Sequence, residues 1–360
     1  MQAETFGSQP HAGSRAAARG GFVAVCPMPN TQPVIDHGGA VEWVAQEAKR
    51  VGLVDVRPIG ALTQGQLGKE LTDFGELFDA GCVALSDDGK PLADSLLMRR
   101  ALEYAKTFGR PLIQHAEDPA LSAGGVIHEG LVSTTLGLRG IPAEAESVMV
   151  GRDLELAELT GGWVHFAHLS SAKSVDLIRQ AKRRGVHVTC EVTPHHLSLT
   201  DAAIATFNTD AKVNPPLRSE QDRLALIAGL TDGTIDCIAT DHAPHTEWEK
   251  GSDFDSAPFG IPGLETALGV CVTALIKPGL VSWSKLVEAL ATNPGRIAGL
   301  NGHGLTKGQP ANLTLVDPEA TWTVEPSQFA SKGKHSPFRG WQLTGRVVNV
   351  IRHGAIVDAA

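Results

Sequence analysis

The chain is 360 residues long, with 42% hydrophobic and 20% charged residues, 39 glycines, 21 prolines and a formal net charge of -9. That length suits one large barrel-type domain with an appendage, or two ordinary domains, and the composition excludes a disordered or fibrous protein. The acidic balance, with no block of lysine or arginine, speaks against nucleic acid or an anionic membrane as partner, because phosphate binding needs concentrated positive charge.

In chain order, residues 1–20 hold no basic start followed by an apolar segment, and no stretch approaches the ~20 apolar residues of a membrane span. A cytoplasmic protein is the expectation. Residues 1–12 carry no strand pattern and stay unassigned; His11 stands alone in Gln9-Pro10-His11-Ala12-Gly13. Residues 13–303 alternate short apolar β-rich runs with longer segments of helical periodicity. Strands are predicted at Phe22–Met28, Val54–Ala61, Cys82–Ser86, Pro111–His115, Trp163–His168, His187–Val192 and Ile235–Thr240. Helices are predicted at Asp94–Thr107, Ala143–Leu159, Ser171–Arg184 and Glu220–Leu230. Seven such units, with strands ending in polar residues or turns, predict an α/β fold: a (β/α)8 TIM-type barrel short of its first strand, not an open doubly wound sheet. No Gly-x-Gly-x-x-Gly turn follows the first strand, which weakens a nucleotide-binding reading. Residues 304–360 change to short strands and turns, from Gly308 to Pro318, Leu343–Arg352 and Ala355–Val357, and read as a small β-sandwich portion. Cys26, Cys82, Cys190, Cys237 and Cys271 are scattered and mostly set in apolar runs, which suits reduced core residues better than disulfides.

The C-terminal ends of parallel barrel strands converge on the active site, so polar residues ending apolar strands carry weight. Asp88, His115, His168 and Asp241 end four strands in this way. Alone, a strand-end histidine is more often a structural residue and an aspartate in Asp-Asp-Gly more often a turn former. Four such ends together point to a metal, and a mixed histidine and carboxylate set suits zinc. His165 and His168 differ in strand parity, so only one faces the barrel centre, and His168 lies nearer the rim. Asp87 is expected to form the turn, and the adjacent His195 and His196 to be structural. In Asp241-His242-Ala243-Pro244-His245, an aspartate after the last strand is placed to take a proton from water and hand it to a leaving nitrogen. His245 is a candidate substrate contact, with loop capping as the plainer alternative for it and for His242. Read alone, Asn30 caps the turn after its strand, Asn214 sets the turn before Pro215-Pro216, and Arg218 is a surface or helix-end charge.

From about Gly20 to the C-terminus the chain resembles the class I dihydroorotases. The resemblance rests on Met28-Pro29-Asn30-Thr31, Ser86-Asp87-Asp88-Gly89, His115-Ala116-Glu117-Asp118, His168-Leu169-Ser170, Asn214-Pro215-Pro216-Leu217-Arg218, Asp241-His242-Ala243-Pro244-His245 and Phe259-Gly260-Ile261-Pro262-Gly263. It implies a zinc-dependent barrel flanked by a small β-sandwich, interconverting dihydroorotate and N-carbamoyl-aspartate in pyrimidine biosynthesis. It also implies one or two zinc ions held by Asp88, His115, His168 and Asp241, with Asp241 catalytic as well. Substrate contacts are implied at Asn30, Asn214, His245, Phe259 and Gly260. Partners implied are the small substrate and either a second copy or aspartate carbamoyltransferase. Dihydropyrimidinases and allantoinases resemble the same plan but place a carbamylated lysine where this strand offers Asp88, and no lysine lies between Cys82 and Gly89.

The departure from the family is at the amino end. Dihydroorotases of this kind carry Asp-x-His-x-His-x-Arg on the first barrel strand, and nothing in the chain matches it. The expectation is an N-terminally truncated enzyme that binds zinc weakly and hydrolyses little as it stands. The rival is a catalytically inactive dihydroorotase-like subunit that scaffolds aspartate carbamoyltransferase; survival of all four ligands weighs against it.

Overall fold

The computed structural model describes residues 10–300, 305 and 307–358, and of residues 10 and 11 the backbone alone. Strand β1 (Ala24–Val25) lies parallel to β2 (Asp55–Val56). Strands β3 (Gly60–Ala61), β4 (Leu85–Ser86) and β5 (Leu112–Gln114) begin a six-stranded parallel sheet, with β6 (Ile127–His128) and β7 (Gly140–Ile141) forming a separate pair. The sheet continues through β8 (Val164–Phe166), β9 (Val188–Val192) and β10 (Cys237–Ile238).

The predicted strand at Val54–Ala61 is divided in two because it changes partner. Its first half bonds to β1 through Asp55 N–H to the Val23 carbonyl (2.8 Å) and Arg57 N–H to the Val25 carbonyl (2.9 Å). Its second half turns to β4, with the Pro58 carbonyl accepting from Val83 and the Ala84 carbonyl from Gly60, both at 3.1 Å. Hydrogen bonds thus join seven parallel strand positions in sequence order, with β1 and β10 at the edges among the described residues.

Strand alternation separates two environments. Val164, Phe166, Val188, Cys190 and Val192 point outward into the main core, against the helices. Ile59, Val83, Ile113 and Ala167 form a smaller apolar cluster on the inward side. The helices start and stop on local chemistry. Ser95–Lys106 is capped by Asp94, whose carboxylate accepts from Leu97 N–H, and buries Met98, Ala101, Leu102 and Ala105 at helical spacing. Glu220–Asp232 begins on a Ser219/Asp222 capping box and ends at Gly233 in the left-handed region.

A helix over Pro10–Arg19 was not expected. It starts inside the segment read as unassigned, and Ala16, Ala17 and Ala18 are fully buried. Small alanines give high helix propensity without the large apolar stripe that periodicity detects. The His11 side chain and residues 301–304, where the predicted domain boundary falls, lie outside the described residues.

Strand β11 (Leu313–Thr323) pairs antiparallel with β12 (Gln342–Arg352), which pairs with β13 (Ala355–Ile356). The expected strand stopped at Pro318; the observed one passes through it. The ladder shifts register between Asp317 and Thr321, so Pro318 falls in a bulge where no ladder donor is needed. The sheet is tied to the start of the barrel by Arg352, which donates to Asp55 (2.6 and 2.9 Å) and to the Gly52 carbonyl (2.8 Å). Among the described residues no helix is long and apolar enough to cross a membrane.

Candidate metal centre

The four predicted rim residues are brought to one end of the sheet. Asp88 follows β4 in a tight turn in which its N–H donates to Ser86 Oγ (3.0 Å). Asp87 turns away, as expected, and accepts from Leu62 N–H (2.9 Å), Thr63 N–H (3.0 Å) and the Thr63 hydroxyl. His115 follows β5 directly; Gln114, of opposite parity, reaches Asp153 at 2.9 Å on the outer side. His168 and Asp241 sit just past β8 and β10 with φ of 31° and 43°. Left-handed backbone at a non-glycine residue is strained, and such strain concentrates at functional sites.

His115 Nδ1 and His168 Nε2 face each other at 3.0 Å, and Asp88 Oδ1 lies 3.7 Å from His168 Nε2. Two ligands of one tetrahedral zinc, at bond lengths of about 2.1 Å, stand roughly 3.4 Å apart, so these separations bracket what one ion needs. His168 Nδ1 is buried and has no hydrogen-bond partner among the described residues. Asp88, His115 and His168 form a group whose ligand atoms lie within 4.8 Å of one another. Asp241 stands outside that group but lines the same cavity, together with Asn214, Phe259 and Gly260. The donor chemistry fits zinc or a similar divalent ion.

The electrostatics also suit a cation. Burial pushes the Asp241 carboxyl up to about 6, aided by Asp88, while His168 and His115 oppose the rise. Burial works against a charged His168, but the nearby Asp88, Asp241 and Glu191 carboxylates outweigh it and lift the imidazole to about 9. Asp88, although buried, is held below the ordinary carboxylate range by His168 and His115. A site that draws a proton onto an imidazole among carboxylates draws other cations for the same reason.

The remaining predicted residues divide. Asn30 donates to Asp88 Oδ2 (3.2 Å), and Asn214 donates to Glu117 Oε2 (2.8 Å) beside His115. His245 stands behind the cavity wall, its Nε2–H donating to the Phe259 carbonyl at 2.8 Å. Gly260 has φ of 146°, and a Cβ there would meet Ala243 and the His245 ring, so only glycine lets the wall lie this close. His242 Nδ1 accepts from Gly263 and Leu264 N–H, and His196 bridges Thr193 and the Pro215 carbonyl; both serve loops.

Two residues were misjudged or passed over. Arg218, expected as a surface or helix-end charge, does precede the Ser219 cap but is buried, donating to Ser170 Oγ (3.0 Å) and the Ile141 carbonyl (2.9 Å). Ser170 and Ser171 N–H also donate to Glu146, so a buried carboxylate and guanidinium fix the turn that carries His168. Glu117 was not singled out; it shares the parity of His115, two residues on, which was the available signal. Burial opposes its ionisation, yet His115, Asn214 and Ser122 bring it down to about 2.

Comparison with known proteins follows the same lines. Residues 8–174 match the family described as dihydro-orotase-like. A dihydroorotase of Anaeromyxobacter dehalogenans is 52% identical over 347 residues, spanning 96% of this chain and 80% of that protein. One from Pelotomaculum thermopropionicum is also 52% identical, over 96% of this chain and 81% of that protein. Among solved structures, an L-hydantoinase (dihydropyrimidinase) from Arthrobacter aurescens superposes with a TM-score of 0.85 at 27% identity, covering 96% of this chain and 79% of its own. A dihydropyrimidinase from Brevibacillus agri, at 22% identity and a TM-score of 0.81, shares the fold over 96% of this chain and 79% of its own.

Proposed function

Because the chain belongs to the dihydroorotase family, we propose that its cavity opens the cyclic amide of (S)-dihydroorotate to N-carbamoyl-L-aspartate, and closes it again, in pyrimidine (UMP) biosynthesis. In this reading Asp88, His115, His168 and Asp241 hold zinc, one or two ions per chain, and Asp241 is the general acid and base. The observation that carries it is the meeting of two imidazole nitrogens at 3.0 Å with a carboxylate oxygen 3.7 Å away, on a cavity that Asp241 also lines.

A divalent ion bound here would polarise the ring carbonyl and lower the pKa of a water to about 7. Asp241 takes the proton from the attacking water and returns it to the ring nitrogen as the amide C–N bond breaks. The water oxygen ends in the new carboxylate, and the freed nitrogen stays in the ureido group. Asn214 and the Phe259-Gly260 backbone wall the substrate, while Asn30 and His245 act one step further out, on Asp88 and on the Phe259 carbonyl. The reading places the chain in the cytoplasm, paired with a second copy or with aspartate carbamoyltransferase. The test is turnover of dihydroorotate beside hydantoin, dihydrouracil and allantoin, with zinc supplied and an upstream segment bearing Asp-x-His-x-His-x-Arg fused to the chain. Dihydroorotate is expected to be the preferred substrate; faster turnover of any of the others overturns the reading.

A further inference from the structure

Below the rim, the same strands carry a second set of donors. Strands β8, β9 and β10 are consecutive in the sheet, with His165 opposite Thr189 and Glu191 opposite Cys237. His165 shares the inward parity of Ala167, whereas Val164 and Phe166 point into the outer core. His165 Nε2 lies 3.3 Å from Glu191 Oε2, and the ligand atoms of His165, Glu191 and Cys237 all fall within 4.8 Å of one another. His165 Nδ1 is 2.8 Å from Thr189 Oγ1, which also accepts from Trp163 Nε1–H at 2.9 Å. Thr189 Oγ1 can accept from Nδ1–H, the tautomer that would free Nε2 for an ion placed between it and Glu191. An orienting partner on the far nitrogen is the usual companion of a metal-bound histidine.

We propose that His165, Glu191 and Cys237 form a second metal site inside the barrel, distinct from the rim site, for a thiophilic divalent ion of the zinc and cadmium class. One nitrogen, one carboxylate oxygen and one sulfur favour such ions over magnesium or calcium. The 3.3 Å nitrogen to oxygen separation matches that of two ligands on one tetrahedral ion. Binding releases one proton from the buried thiol, and the ion ties three neighbouring strands together. The rim group of Asp88, His115 and His168 and the inner group of His165, Glu191 and Cys237 share no residue, and His168 lies past the end of β8 whereas His165 lies within it.

The proposal does not rest on the catalytic reading, because its signature is sulfur and the rim site has none. Titration of the full metal-free chain with cobalt(II) is expected to produce a near-ultraviolet thiolate-to-cobalt band whose saturated intensity corresponds to one sulfur-bound ion per chain, over and above any cobalt taken up at the rim. Cys237→Ala should abolish it and His165→Gln should weaken the ion's binding by ten-fold or more. Cys26→Ala and Asp88→Asn should leave the band in place. No thiolate band in the parent chain at saturating cobalt overturns the proposal, whatever the variants do. So does a band that survives Cys237→Ala or vanishes in Cys26→Ala.

Discussion

The two sides of the barrel strands obey different rules, although they alternate residue by residue. Outward positions such as Leu112, Phe166 and Val192 are wholly buried among apolar neighbours in regular strand geometry. At the rim two of the four key residues adopt left-handed backbone, an imidazole nitrogen has no partner among the described residues, and a buried carboxyl is pushed to about 6. Local rules that hold on one side and fail together on the other mark where stability has yielded to function.

That division predicts separable effects. The largest belongs to the outer side: Phe166→Ala should destabilise the fold by ~3–5 kcal/mol, the usual result of emptying a buried aromatic site. Turnover per folded, metal-loaded molecule should hardly change. Denaturant unfolding beside active-site-normalised kcat checks this, and a proportionate loss of kcat would show that the two sides are not independent. Next, Asp241→Asn should lower kcat by at least ~10² in molecules that still carry zinc, the scale expected for losing a positioned acid or base. A near-normal kcat with zinc retained would remove Asp241 from the mechanism.

A third prediction concerns pH. The His168 imidazole is raised from 6.5 to about 9 in the metal-free chain, so the folded state holds its proton more tightly than the unfolded one. A raised folded pKa gives stability that is fully present below pH 6.5 and lost as pH climbs through about 9. The stability advantage of the metal-free parent over His168→Asn should therefore shrink across that window, by on the order of 3 kcal/mol. Guanidinium midpoints at pH 6 and pH 9 measure it, and a constant difference would break the link between this imidazole and its carboxylates.

Much of this layout was legible beforehand, for identifiable reasons. Seven strands announced themselves as apolar β-branched runs, and Asp88, His115, His168 and Asp241 as polar residues ending them. Parity along a strand is a sequence property, but the expectation that only one of His165 and His168 faces the barrel centre fails: His165 points inward, and His168, past the end of β8 on left-handed backbone, escapes the alternation and reaches the rim site. Register between strands is not a sequence property, so the meeting of His165, Glu191 and Cys237 from three strands had no sequence signal. Arg218 and Glu146 were hidden likewise: their link runs through Ser170, 48 and 24 residues away in the chain. The helix at Pro10–Arg19 and the passage of β11 through Pro318 show local composition giving way to packing and to a bulge.

The smallest predicted effect sharpens the comparison most, because it asks how far the rim's functional character extends. Asn30 donates to Asp88 Oδ2 at 3.2 Å and is absent from the cavity wall, whereas the family resemblance implied that it touches substrate. A hydrogen bond to an ionised carboxylate contributes about 1.5–3 kcal/mol, and losing the partner that orients a metal-binding carboxylate typically weakens metal affinity by roughly 10–100-fold. Asn30→Ala should fall at the lower end, about ten-fold, since Ser86 still holds the Asp88 backbone from its other side. If Asn30 acts only through Asp88, KM for dihydroorotate at saturating zinc should stay within about two-fold of the parent, and the zinc concentration needed for half-maximal activity should rise by the same factor as the metal dissociation constant. Should KM rise instead while zinc affinity is untouched, Asn30 contacts the substrate, and its bond to Asp88 is one that substrate replaces.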